Sequence, residues 1–186
     1  MSYSPLVVAA ALLAGGTAAA APYAIDPTHT FVSFDASLFD LSTARGRFDR
    51  KEGSLDFDPA ARSGRAEIEI DTTSLNTGVA ALDRLLQALL DTEHHPSARF
   101  VGERFSFNGD KLAEVAGTLT LRGRSQPLVL KATRFDCYLN PLLLRRVCGG
   151  DFEATLVRSE WGLAGGTEVG LAETLRLMVQ VEAIKP

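Results

Sequence analysis

Residues 115–127 read Val-Ala-Gly-Thr-Leu-Thr-Leu-Arg-Gly-Arg-Ser-Gln-Pro, an alternating run that enters a tight turn and starts a second alternating run. Every second side chain of a strand faces the same way, so this spacing commits the segment to a half-buried hairpin. The same grammar recurs along most of the chain. Over residues 30–39, Val32, Phe34, Ala36 and Leu38 share one face and Ser33, Asp35 and Ser37 the other. Over residues 65–72, Ala66, Ile68 and Ile70 stand opposite Arg65, Glu67, Glu69 and Asp71. Phe105 and Phe107 lead into Asn108-Gly109, a strong hairpin signal, and residues 112–121 run back. A turn is expected at 123–126 and further strands at 128–134, 152–158 and 174–183. In the last of these, Leu175, Leu177, Val179 and Val181 alternate with Arg176, Met178, Gln180 and Glu182.

One segment breaks the rhythm. Residues 79–90 place Val79, Leu82, Leu85, Leu86, Leu89 and Leu90 at helical spacing, after Asn76-Thr77-Gly78 as a cap region and before His95-Pro96. This amphipathic helix either plugs one end of a barrel or forms a lid over a pocket, and both roles remain open. Many strands, one helix and regular turns point to an antiparallel barrel or sandwich. Closure would remove the sheet edges that invite aggregation. With about eight strands the interior is either filled by side chains or just wide enough for one elongated ligand.

The chain opens with Leu-Val-Val-Ala-Ala-Ala-Leu-Leu at residues 6–13, followed by Ala, Gly and Thr. That pattern predicts an export signal over residues 1–20, cut after Ala20, with a binding domain over 21–186. The segment carries no Lys or Arg. It is too short and too rich in Ala and Gly for a spanning helix, which needs about 20 strongly apolar residues. All 19 basic and 23 acidic residues follow Pro22, so the remainder carries a net charge near -4. One mildly acidic domain with scattered arginines lacks the electrostatic footprint of a nucleic-acid binder. The two cysteines, Cys137 and Cys148, form an even pair beside turn residues, which an oxidising compartment would join as a structural disulfide. A loop this short is stabilised by about 2.5 to 3 kcal/mol in the chain-entropy model. Redox activity would favour a Cys-x-x-Cys spacing, and a metal site would need more ligands than two thiols.

Candidate polar chemistry is sparse. His29 follows Asp26-Pro27 and is expected to make a local hydrogen bond at a strand start. His94 and His95 adjoin in a turn without a carboxylate–histidine metal spacing, and are expected at the surface. Arg158 and Trp161 are read as an arginine snorkelling beside an aromatic ring at a strand end. A hydrolase would need a nucleophile, a base and oxyanion donors, and the serines show no Gly-x-Ser-x-Gly elbow. No catalytic residue, metal ligand or prosthetic cofactor is assigned.

Tyr23-Ala-Ile-Asp-Pro-Thr-His-Thr, Arg45-Gly-Arg-Phe48, Leu55-Asp-Phe-Asp-Pro59, Ser74-Leu-Asn-Thr-Gly78, Leu89-Leu-Asp-Thr-Glu93, residues 115–123 and Arg158-Ser-Glu-Trp-Gly-Leu163 follow one another in a characteristic order. This ordered set resembles the YceI-like polyisoprenoid-binding family over nearly all of residues 23–183. The resemblance implies a periplasmic, single antiparallel lipocalin-like β-barrel of about eight strands with one short amphipathic helix. It also implies an amphiphilic isoprenoid or similar lipid, or a quinone-like molecule, held non-covalently in the lumen. The chain departs from the family pattern at Leu38, where a histidine is common, at Leu89-Leu90, where an aromatic pair is common, and in a helix about two residues shorter. The Cys137–Cys148 insert is expected to shape one mouth of the barrel.

An apolar tunnel holds such a chain through burial alone, at roughly 0.8 kcal/mol per methylene. Lumen residues expected to contact it are Phe34, Leu38, Ile68, Ile70, Leu119, Leu121, Leu175 and Leu177, with Leu86 and Leu89 from the helix. In any small barrel these residues also form the core. The alternatives are an exported interaction or stress-response subunit that partners a membrane redox protein without a fixed ligand, and, more remotely, a secreted hydrolase. The sequence does not reveal the oligomeric state.

Overall fold

The computed structural model describes residues 22–186, so the export segment expected at 1–20 lies outside the described residues. One 11-stranded sheet closes on itself through pairing of its first and last strands. The strands are β1 (Tyr23–Ile25), β2 (Phe31–Leu38), β3 (Ser42–Phe48), β4 (Lys51–Asp58), β5 (Ser63–Asp71), β6 (Leu75–Asn76), β7 (Ser97–Asn108), β8 (Lys111–Leu121), β9 (Arg124–Asn140), β10 (Arg145–Val157) and β11 (Leu171–Ile184). The helix α1 (Ala80–Leu90) lies between β6 and β7.

Two pairs of strands are single staves with a kink. β1 and β2 both pair with β11, while β3 pairs with β2 and β4 with β1. Counted as staves, the ring β1/β2, β3/β4, β5, β7, β8, β9, β10, β11 is an eight-stranded up-and-down barrel in which every neighbour in sequence is a neighbour in space. The Asp-Pro-Thr-His-Thr motif makes the first kink. Thr30, fully buried, bridges the interrupted ladder: its hydroxyl donates to the Glu182 carbonyl (3.3 Å) and accepts from the Glu182 amide (3.2 Å). Asp26 accepts from the Thr28 amide at 2.9 Å and pairs with His29 Nδ1 at 2.7 Å, the local bond expected for that histidine.

Turns at residues 59–62, 109–110 and 141–144 and both ends of the described chain gather at one end of the barrel, termed the lower end. The 39–41 and 122–123 turns, α1 and the 158–170 connection gather at the upper end. Two turns are displaced from their expected places. β7 and β8 pair Asn108 with Lys111, so Gly109 and Asp110 are the turn residues. The next turn is Arg122-Gly123, both at positive φ (50° and 69°), and residues 124–126 already belong to β9.

β9 and β10 are also much longer than the expected 128–134 and 152–158. Cys137 and Cys148 are register partners on these strands and are joined by a disulfide. The segment read as an insert is therefore the far end of a continuous hairpin.

The middle of the lumen is filled, above an open pocket of about 400 Å³ at the lower mouth that Phe57, Phe107 and Phe135 also line. Phe57 packs edge-on against Phe135 at 5.2 Å and also lies against Phe105 and Phe107, while Phe135 meets Phe152 at 6.1 Å. Ile68, Phe100, Val115, Leu128 and Leu130 complete this floor. The upper half is built from smaller inward residues, and α1 covers it.

Candidate functional site

Beneath α1 lies an apolar cavity of about 110 Å³. Its walls carry Phe34, Ala36, Ala44, Ile70, Ala98, Leu119, Leu121, Leu175 and Leu177, and α1 supplies Leu82, Leu86, Leu89 and Leu90. The space exists because three inward positions, Ala36 of β2, Ala44 of β3 and Ala98 of β7, are alanines. One glycine shapes it further. Gly46 pairs with Phe34, and a Cβ there would lie 2.4 Å from the Phe34 ring, so only glycine lets that ring lie flat against β3.

Of the ten lumen residues expected, eight line this cavity: Phe34, Ile70, Leu86, Leu89, Leu119, Leu121, Leu175 and Leu177. Two do not. Ile68 points inward but sits in the packed floor, one pleat below Ile70. Leu38 lies at the top of β2, opposite Leu171, and packs on the outer margin of the α1 cluster. On α1 itself only Leu86 is fully buried, and Val79 and Leu85 are exposed. The sequence reading placed Ala36 on the inward face but did not name it as a lumen residue, and it passed over Ala98, whose alternation with Phe100 marked it as inward, and Ala44 on β3.

α1 is tied down at both ends. Asp83 reaches back to accept from the Thr77 amide (2.7 Å) and hydroxyl (2.6 Å), although Val79 offers no side-chain cap. At the other end Asp91 adopts the left-handed conformation, and its carboxylate pairs with exposed His94 at 2.7 Å. That hydrogen bond raises the His94 pKa and lowers that of Asp91. His95 rests its ring over Gly123, where a Cβ would come within 2.9 Å. Among the described residues no group of three or more metal-ligating side chains occurs.

The one charged group on the cavity wall is Arg158, and it does not snorkel. Its exposure is 2%, and its guanidinium donates to the carbonyls of Ala172 (2.8 Å), Gly165 (2.6 Å) and Leu171 (3.3 Å). Trp161, 1% exposed, donates Nε1–H to the Leu119 carbonyl at 3.3 Å. Together they pin the 158–170 connection across the upper end, beside Leu89. Arg122 adds a bond to the Gly162 carbonyl. Sequence reasoning missed this because the three acceptors are main-chain carbonyls, of Gly165 in the connection itself and of Leu171 and Ala172 on β11, which carry no residue signature.

A wider groove of about 790 Å³ runs along the lower flank between the β7–β8 turn and β9–β10. Lys111, Arg134, Asp136, Asp151 and Glu182 line it, so water competes for every contact there. The cavity under α1 is the site with a driving force for an apolar guest.

The YceI-like domain model matches residues 23–183, which spans nearly the whole barrel. The chain belongs to the YceI-like family. A UPF0312 protein of Pseudomonas savastanoi pv. phaseolicola is 37% identical over 137 residues, 71% of each chain. Burkholderia cenocepacia BcnA superposes with a TM-score of 0.71 at 20% identity, covering 86% of this chain and 99% of that one. A polyisoprenoid binding domain from Saccharophagus degradans, implicated in plant cell wall breakdown, superposes with a TM-score of 0.66 at 18% identity, covering 88% and 98%. These YceI-like barrels share the architecture at identities that speak for the fold alone.

Proposed function

We propose that this YceI-like barrel is a periplasmic binding protein that takes up the chain of an amphiphilic isoprenoid or similar lipid beneath α1, for carriage, storage or sequestration. The observation that carries the reading is the cavity wall: aliphatic and aromatic throughout, with Arg158 as its single polar member. Each methylene moved into it from water is stabilised by roughly 0.8 kcal/mol. The paired cysteines, the export-like leader and the family fold support an exported, oxidising setting.

Volume limits how the guest enters. A dry cavity of about 150 Å³ holds a benzene ring, so about 110 Å³ admits only the leading few carbons of a chain. A longer guest requires α1 or the 158–170 connection to swing outward, and α1 suits that role because it packs through few fully buried residues. The opposite ends of the lumen then differ in kind: the floor stops the chain and the helical roof yields. The same small volume favours a second reading, an exported partner of a membrane protein that holds no ligand and has a nearly filled lumen.

Organic extraction of the natively purified mature protein, followed by mass spectrometry, separates the two. Stoichiometric recovery of one apolar amphiphile from more than one expression host supports the carrier. Recovery of none supports the partner subunit.

A further inference from the structure

At the lower end, away from the cavity, the β9–β10 hairpin outgrows the barrel. The last rung between β8 and β9 joins Glu114 to Lys131, and the last between β10 and β11 joins Val147 to Ile184. Lys185 N–H extends the latter edge by one step, donating to the Arg146 carbonyl at 2.9 Å, and beyond it residues 140–145 pair only with each other. The Asn140–Arg145 rung and the 141–144 turn therefore stand clear of the rim.

This projecting tip reads Tyr-Leu-Asn-Pro-Leu-Leu-Leu-Arg-Arg. Leu142 is 91% exposed, Leu144 78% and Leu139 68%, with Tyr138 and Leu143 each 49%. Such a cluster of exposed leucines calls for a partner. The tip is also held in shape. Asn140 Oδ1 accepts from the amides of Leu142 (2.9 Å) and Leu143 (3.1 Å), Leu144 N–H donates to the Asn140 carbonyl at 2.9 Å, and the Cys137–Cys148 bridge staples the base. A braced finger cannot fold back to bury its leucines on its own barrel.

Two features indicate what covers it. Tyr138 and Leu139 are successive strand residues and point to opposite faces, yet both are exposed, so apolar side chains stand on both faces of the finger, as on a wedge at a bilayer interface and unlike an edge bound in a one-sided groove. Immediately beside the leucines stand Arg145 and Arg146, both exposed and outside every ion pair among the described residues. Asp136 and Asp110 share the lower-mouth pocket with Arg146 but form no ion pair with it.

We propose that residues 138–146 form a bilayer-docking wedge: Leu142 and Leu144 enter the acyl boundary of an anionic leaflet, and Arg145 and Arg146 meet its phosphates. Interfacial elements bury their apolar side only about 5–10 Å deep, a depth at which a turn standing one rung clear of the rim can act. Docking here leaves the α1 end facing away from the membrane, and it does not depend on what the cavity holds.

Sedimentation of the purified mature protein with sucrose-loaded vesicles tests this, using equal parts phosphatidylglycerol and phosphatidylethanolamine against phosphatidylcholine alone. The protein as a whole is acidic, with net charge -4, so preference for anionic vesicles isolates a local basic site. Wild type is expected to sediment with the anionic vesicles and to be released by salt. Leu142→Ser with Leu144→Ser should weaken partitioning roughly tenfold on both vesicle types, and Arg145→Ser with Arg146→Ser roughly tenfold on the anionic ones only. These exposed positions should leave the melting temperature unchanged, which a thermal scan verifies. The proposal is overturned if wild type binds neither vesicle, or if tip variants bind as wild type. It is equally overturned if Phe39→Ser with Leu41→Ser at the upper end abolishes binding instead, or if light scattering shows the tip joining two copies of the chain without vesicles.

Discussion

The two halves of this barrel are built from the same staves and the same alternation, yet the lower is closed by stacked rings above a polar mouth and the upper is hollow. Below, Phe57, Phe105, Phe107, Phe135 and Phe152 meet ring to ring and close the lumen. Above, Ala36, Ala44 and Ala98 leave room that α1 covers without filling. Period-two patterning thus fixes which side chains point inward, and side-chain size at each level of the stack decides whether the interior is a core or a container.

The contrast breaks most visibly under truncation. Phe152→Ala removes a ring from the packed floor and is expected to cost about 3–5 kcal/mol in urea unfolding, whereas Leu86→Ala on the helical roof should cost about 2 kcal/mol because it enlarges an existing void. Equal losses would mean that the upper half is packed as tightly as the lower.

Next in size is the pin that holds the roof. Arg158→Met keeps the bulk of the side chain but leaves the carbonyls of Gly165, Leu171 and Ala172 without their donor, at an expected cost of about 3 kcal/mol. Hydrogen exchange should show faster opening at residues 158–170 while the floor strands keep their protection.

Filling the lumen should act with opposite sign in the two halves. Ala98→Leu occupies the cavity and is expected to stabilise by about 1 kcal/mol. Ala183→Leu, at a fully buried site of the floor, should cost about 1–3 kcal/mol by overpacking. Differential scanning calorimetry on both variants reads the sign directly.

This pattern also marks how far the sequence could be read. Ile68 and Ile70 are one pleat apart and equally inward, so alternation could not tell that one lies in the floor and the other on the cavity wall; height along the axis depends on register with β4 and β7. The leucine run at 142–144 had no periodicity, so it read as an insert, and only the Cys137–Cys148 pairing on facing strands shows it to be a hairpin tip. Burial of Arg158 was hidden for a different reason: guanidinium charge argued for the surface, and main-chain carbonyls of the connection and of β11 overruled it. The β1–β2 kink was more legible, since Asp26 and His29 stand at the spacing of a local pair.

That pair yields the smallest effect. Partial burial works against the Asp26 carboxylate, but hydrogen bonds from His29 and Thr28 outweigh it and hold its pKa down at about 2. The Asp26 hydrogen bond, then its charge, raises the His29 pKa above 6.5. The depressed acid stabilises the fold above its unfolded pKa near 3.8 and loses this as pH falls toward 2; the raised base stabilises below 6.5 and loses this as pH climbs through its elevated value. A small melting-temperature deficit of His29→Gln should therefore be greatest near pH 5 and fade at both extremes.

The claim that the hollow half receives an apolar chain is tested most directly by isothermal titration with geranylgeraniol, comparing wild type, Ala98→Leu and Ile68→Val. The account predicts binding with a negative heat-capacity change in wild type and in Ile68→Val, which alters only the floor, and at least roughly tenfold weaker binding in Ala98→Leu. Equal affinity in wild type and Ala98→Leu would contradict it.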